Sequence, residues 1–331
     1  MSEEEKEGKL AKLKGKTKEE LIEKFMEEVA RVKPAFEVLK VVPQIPEIRR
    51  IMVIISDFEK HNNVILTGEH LAKKFNAEIF VLSLIDATRE KPEDIPELVE
   101  KTKNEVHRAA KHIVVEGITL SGETVKEGVV SEKLTETIKE KKAELVVVPK
   151  HYGEKLPPEE ELRLGVATEY LIQKMQLPVM IIEEGVEFSE ETLSKVVILI
   201  KGTEKKLDNI GFGIALAKPD GKVYLLSIVD VEEVQLRAEA SGKGITDITN
   251  DLKKNREELL AIAAKYVRNL GIENVEIRVK VGSPIDEILK ELKAINGIIV
   301  INKAAEEIDK LGRVAEHLVK KCNFVLLIPT K

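Results

Sequence analysis

The chain repeats itself, and that repeat restricts its fold more than any other feature. Residues 51–55, IMVII, align with 196–200, VVILI, at an offset of 145, and Glu59-Lys60 and Leu71-Ala72-Lys73 then fall on Glu204-Lys205 and Leu216-Ala217-Lys218. EIFVLSLID (78–86) matches KVYLLSIVD (222–230) at 144, and Gly128 matches Gly282 at 154. AELVVVPK (143–150) pairs with NGIIVINK (296–303) at 153, and LGVATEYLIQKMQ (164–176) with LGRVAEHLVKKCN (311–323) at 147. A register kept this far means two homologous halves, in keeping with a chain of 331 residues at roughly 150 residues per domain. The offsets put 10 extra residues in the second half between its second strand and Gly282, in or near EASGKGITD (239–247), and 6 fewer after NGIIVINK. The extra residues could form a mobile segment covering a cleft or a merely disordered loop.

Each half reads the same way. Short Val/Ile-rich runs without polar alternation suit strands buried on both faces, and helical patterns separate them, which predicts a parallel sheet covered by helices. Strands are expected near 51–56, 78–85, 122–127, 144–149 and 179–183, and again near 195–200, 222–229, 274–281, 297–302 and 324–328. The clearest helix start is GSPIDE (282–287), with Ser283 as cap, Pro284 in the first turn and Asp286 at the positive end of the dipole. Residues 1–48 form a helical extension before the repeat: Thr17 with Glu20 reads as a capping box, and Ile22, Phe25, Val29 and Val32 form a stripe that Pro34 ends. Two roles are open for that helix, covering a face of its own chain or meeting a protein partner. The domains are therefore 1–48, 49–185 and 194–331.

Charge and composition remove several function classes. Lys+Arg 53 against Asp+Glu 59 leaves a net charge of −6, with no positive field to hold a nucleic-acid backbone or an anionic membrane surface. The longest apolar runs, such as 196–200, fall far short of the ~18 residues of a membrane helix. MSEEEKEGKLAK has no apolar block to act as a secretory signal. One cysteine, Cys322, permits neither an intrachain disulfide nor a cysteine-cluster metal site. The expectation is a cytoplasmic protein with no nucleic acid, no membrane insertion and no metal. Abundant Lys and Glu with no Trp resemble a thermophile's composition.

The order of elements and the segments GSPIDEIL (282–289), ELVVVPK, LGVATE (164–169), LGRVAE (311–316), LPVMII (177–182) and FVLLIP (324–329) resemble the universal stress protein family across residues of about 49 to 329. The resemblance implies an α/β fold of two tandem, open, five-stranded parallel-sheet domains, doubly wound and nucleotide-binding-like. Family members that bind ATP carry a loop after the fourth strand patterned G-x2-G-x9-G-[ST], whose glycines let backbone N–H groups approach phosphate. With Gly165 as the last glycine, the other required positions hold Tyr152 and Lys155, the hydroxyl position holds Val166, and Gly153 lies one place off register. Pro157-Pro158 and Glu159-Glu160-Glu161 stiffen the loop and repel phosphate. In the second half Asn302 stands where a glycine should be, and Arg313 replaces the hydroxyl.

The positions that the resemblance marks for a nucleotide are Asp57, Gly128, Gly153, Lys155 and Gly165. The anion contacts it implies in the second half are Gly282, Lys303, Gly312 and Arg313. Asp57, matching an acid that meets adenine in the family, has an equal reading as a helix cap or a solvated loop acid. Lys150, Lys155, Lys303 and Arg313 could draw in phosphate. No cofactor is required, and AMP, ADP or ATP would bind weakly. His107 and His112, five apart, read as a solvated helix surface; His151 reads as a surface-loop residue or a ligand contact; Cys322 reads as packing. There is no G-x-S-x-G, no G-x-x-x-x-G-K-[ST] and no metal-binding His/Glu helix, so no catalytic residue is assigned.

Three functions follow: a non-catalytic binding or regulatory module in the stress response, an adenine-nucleotide binder with slow hydrolysis in the first half, or an interaction protein with no small ligand. PVMII (178–182) and VLLIP (325–329) are expected to pair, making the two halves an intramolecular pseudo-dimer. Homodimerisation of whole chains is a further option.

Overall fold

The computed structural model describes residues 45–152, 164–186, 189–201, 208–303 and 313–329. All ten expected strands form. The first half runs β1 (Arg50–Ile54), α1 (Asn62–Phe75), β2 (Glu78–Asp86), α2 (Ile95–Val115), β3 (Leu120–Gly128), α3 (Val130–Lys141), β4 (Leu145–Pro149), α4 (Val166–Lys174) and β5 (Val179–Ile182). The second runs β6 (Lys195–Leu199), α5 (Asp208–Leu216), β7 (Lys222–Asp230), α6 (Val231–Ser241), α7 (Ile245–Asn269), β8 (Val275–Gly282), α8 (Pro284–Ile295), β9 (Ile298–Asn302), α9 (Arg313–Lys321) and β10 (Phe324–Ile328). The 1–48 extension, but for residues 45–48, lies outside the described residues, as do Gly153, Lys155 and Gly312.

The chain divides into two compact units. One joins residues 46–192 to 296–331, with strand order β3-β2-β1-β4-β5-β10-β9. Its strands run parallel except at one seam, where β10 lies antiparallel to β5 with Phe324 opposite Ile182 and Leu327 opposite Val179. The two closing strands of the repeat thus pair, as expected. Each has bulky apolar side chains buried along its whole length, so an open edge at either would leave sticky apolar surface and unpaired backbone groups. The other unit contains residues 193–295, with β6-β7-β8 in parallel order.

Burial explains the strand pattern. β1, β4, β6 and β9 are buried almost throughout, as unalternated Val/Ile runs require. Among the described residues β3 and β8 pair only with β2 and β7 in their units, and they carry Glu123, Lys126, Glu276, Arg278 and Lys280, the polar dress of a less covered strand.

The residues added in the second half correct an expectation. They form α6 rather than a mobile cover or a disordered loop. Asp230 caps this helix by accepting from the Glu232 N–H at 2.9 Å, and Val234 and Ala238, four apart, pack with Val229, Ile248, Leu252 and Val279. Gly242 ends the helix at φ 68 and Gly244 caps the next, so GKG is the joint between two helices.

Repeat symmetry extends to a close helix–strand contact. A Cβ on Gly68 in α1 would lie 2.5 Å from Val53 Cγ2, and one on its repeat mate Gly213 in α5 would lie 2.4 Å from Ile198 Cδ1. Replacing glycine by alanine inside a helix normally gains about 1 kcal/mol, but forcing a methyl into a filled core costs about 1–3 kcal/mol. Urea unfolding of Gly68→Ala is therefore expected to show a net loss of up to roughly 2 kcal/mol. A gain would mean that α1 can lift off β1 freely.

Candidate functional site

In the first unit the strand order reverses beside β1, with β2 on one flank and β4 on the other. Open α/β sheets take ligands in the crevice outside the carboxyl ends of such strands. The chain leaving β4 enters this crevice as Lys150-His151-Tyr152. Lys150 N–H donates to the Ile182 carbonyl at 2.7 Å, and the Gly165 N–H donates to the Lys150 carbonyl at 2.9 Å, which brings the start of α4 against the end of β4.

Tyr152 fills the crevice. Its side chain is buried, and its hydroxyl reaches past the end of β1 to β2. There it accepts from the Leu84 N–H, lies 3.0 Å from Ser83 Oγ and donates to the Leu84 carbonyl at 2.9 Å, with the Ile55 carbonyl at 3.3 Å. A phenol has one donor and two acceptor sites, and all are used. Burial pushes its pKa up to about 12, so it stays a neutral phenol able to donate.

Gly165 acquires a new explanation. A Cβ there would sit 2.5 Å from the Tyr152 backbone nitrogen, so close approach of Tyr152 alone demands glycine at this position, without any phosphate. Asp57 caps the turn that precedes α1: its Oδ1 accepts from the Lys60 N–H at 2.8 Å. Gly128 and Gly282 stand at matching places, opposite Asp86 and Asp230 at the ends of the second strands.

Two of the lysines expected to attract phosphate, Lys150 and Lys303, are turned elsewhere. Lys150 is 1% exposed; its ammonium pairs with Glu183 and donates to the Lys320 carbonyl at 3.1 Å. Its repeat mate Lys303, 4% exposed, donates to the Gln173 carbonyl at 2.9 Å. Gln173 and Lys320 are themselves repeat mates in the last turns of α4 and α9, where helix carbonyls lack intrahelical partners and the dipole favours a cation. Each half thus ends the other's last helix. Arg313 begins α9, and its side chain lies outside the described residues.

Around Tyr152, side chains pair with one another. His151 Nδ1 lies 2.9 Å from Glu184 Oε2, and its N–H donates to Glu184 Oε1 at 2.7 Å. The ligand atoms of His151, Glu183 and Glu184 fall within 4.8 Å of one another, and among the described residues they are the one such grouping suited to a metal. A metal would have to displace Lys150 from Glu183 and His151 from Glu184. His112, expected on a solvated surface, instead pairs at 2.7 Å with Glu69, which is 4% exposed; desolvation raises the Glu69 pKa against the lowering effect of His112. The Cys322 thiol, pushed up to about 12 by burial, is a packing group and a poor nucleophile.

Sequence reading missed two participants. His61 is fully buried, stacks on Tyr152 with centroids 6.4 Å apart, and accepts the Ser56 N–H at its Nδ1, 3.0 Å away. Its Nε2 has no partner among the described residues. Ser83 is the other, and its repeat mate Ser227 is equally buried yet its hydroxyl has no partner among the described residues. An unmade hydrogen bond of this kind costs about 1–3 kcal/mol. The signal was a serine kept inside both apolar strands, VLSLID and LLSIVD.

Burial lowers the His61 pKa to about 4 from 6.5. The unfolded chain takes up this proton below pH 6.5 while the folded chain resists it, so stability is full above about 6.5 and is lost as pH falls through 4. That difference corresponds to roughly 3 kcal/mol. Unfolding measured at pH 7 and pH 4.5 should show a smaller acid loss in His61→Gln than in the parent chain, by roughly 2 kcal/mol; equal losses would mean that His61 is not the group responsible.

Several solved structures share this fold. A universal stress protein from Archaeoglobus fulgidus DSM 4304 superposes with a TM-score of 0.59 at 16% identity, over 85% of this chain and 96% of its own. A protein of Pseudomonas aeruginosa PAO1 described as functionally unknown gives 0.56 at 16% identity, over 85% and 92%. No curated protein sequence matches the chain. The sequence profile of the universal stress protein family matches residues 47–183 and again 192–328, which together take in both halves of the repeat: the chain belongs to the universal stress protein family and carries two of its domains in tandem.

Proposed function

We propose that this chain is a cytoplasmic, non-catalytic binding and regulatory module of the stress response, in which neither half binds ATP tightly. The observation that carries this reading is that the first crevice is already satisfied from within. Tyr152 takes the backbone groups of Leu84, Asp57 Oδ1 takes the Lys60 N–H, and Lys150 is sealed against Glu183 and the Lys320 carbonyl. The glycines that would bring backbone N–H groups to a triphosphate are replaced by Tyr152 and Lys155. Each lost hydrogen bond to phosphate costs roughly 1.5–3 kcal/mol, and two such losses weaken binding by hundreds-fold or more, about 1.4 kcal/mol being tenfold. With Lys150 withdrawn, less remains to offset this.

The β5–β10 seam supports the halves acting as an intramolecular pseudo-dimer, since it joins the same strand of each half in antiparallel sense. No described helix is long and apolar enough to cross a membrane.

Thermal shift with ATP, ADP, AMP and cyclic nucleotides tests the reading, because a ligand stabilises the folded state according to its concentration over its dissociation constant. At millimolar ATP the expected rise in Tm is below about 2 °C, with no phosphate released. A micromolar ATP isotherm in calorimetry, abolished by Asp57→Ala, would replace this reading with that of a nucleotide-binding first half, and phosphate release would make it an enzyme.

A further inference from the structure

We infer that Tyr152 is a built-in occupant of the first half's crevice: it holds the place over the ends of β1 and β2 that an incoming ring would take, and closes that half to such ligands. The inference rests on reading the crevice as a binding site. It does not depend on what the chain regulates.

Three independent features lead to it. The first is chemical. The hydroxyl of Tyr152 meets both the N–H and the carbonyl of Leu84, a donor and an acceptor side by side on one residue just beyond the point where Ile55 N–H makes the last bond to β2, at Leu82. A ring edge with adjacent acceptor and donor, such as an aminopyrimidine or purine edge, would satisfy the same two groups. The second is steric. Gly165 lets the backbone of Tyr152 come closer than any side chain would allow, and the His61 ring lies nearly parallel to the phenol, inclined by 25°. The chain is shaped to seat this side chain.

The third is the repeat, which supplies an internal control. Ser83 and Ser227 occupy the same place on β2 and β7, one residue past the matched pairs Ile54↔Leu82 and Leu199↔Leu226. Ser83 meets the Tyr152 hydroxyl. Ser227 is as deeply buried, and its hydroxyl is left without a partner among the described residues. Among the described residues, then, the serine of one copy meets a tyrosine hydroxyl and the serine of the other meets none. In the first half, Tyr152 supplies what a bound molecule could.

The test uses the full chain labelled with nitrogen-15 and follows the Leu84 amide by NMR, so that binding in the second half does not confuse the result. Adenosine and 4-methylphenol are the probes, added to millimolar concentration. In the parent chain the Leu84 signal should not move with either. In Tyr152→Gly it should move with both, and adenosine should bind at least about tenfold more tightly than to the parent. A Leu84 shift with adenosine in the parent would overturn the inference. So would a Tyr152→Gly chain that answers to 4-methylphenol alone, since that describes a sealed core cavity no larger than the side chain removed, or one that answers to neither. If Tyr152→Gly does not fold, Tyr152→Phe keeps the ring and decides the matter. It should still exclude adenosine, while the Leu84 amide exchanges with deuterated water about tenfold faster. Entry of adenosine, or unchanged exchange, would overturn it.

Discussion

Two ammonium groups buried beside the β5–β10 seam hold the first unit's organisation together. A lysine taken out of water is costly unless its charge and its N–H groups are met. Lys150 and Lys303 meet that demand on the last carbonyls of α9 and α4, helix ends that lack intrahelical partners of their own. The seam supplies the backbone pairing, and the lysines tie the final helix of each half to the start of the loop in the other. The path of the chain after β4 follows from this. With Lys150 drawn down toward Glu183 and Lys320, His151 turns to Glu184 and Tyr152 is delivered over the ends of β1 and β2.

The strands were readable because strands buried on both faces have no choice but continuous Val, Ile and Leu. The repeat then confirmed each one by its copy. The directions of side chains were not readable in the same way. Lys150 and Lys303 sit in a loop position where a cation could as well face an anion in solvent, and only the three-dimensional meeting of β4 with α9, and of β9 with α4, shows that they face inward. Tyr152 registers in the sequence as a missing glycine. That its hydroxyl meets the backbone of Leu84 depends on the distance from β4 to Leu84, which no spacing along the chain encodes. EASGKGITD looked like a loop because of its two glycines, yet each glycine closes or opens a helix.

Gly165 carries a caution for reading loops of this kind. A glycine at the start of α4 fits a phosphate-binding pattern, and in this chain it is also required by the Tyr152 backbone. A glycine therefore reports that something comes close, and the identity of the neighbour has to be read from the structure.

The seam has a consequence for how such a protein can change. In a symmetric homodimer every substitution appears at both sites at once, and neither can be altered alone. Joining the two copies in one chain keeps the closing strands at a high effective concentration while letting each half carry its own residues. The Tyr152 hydroxyl that meets Ser83, against a Ser227 hydroxyl with no partner among the described residues, is the kind of divergence that this arrangement permits: a residue can change in one half while its repeat mate is kept in the other.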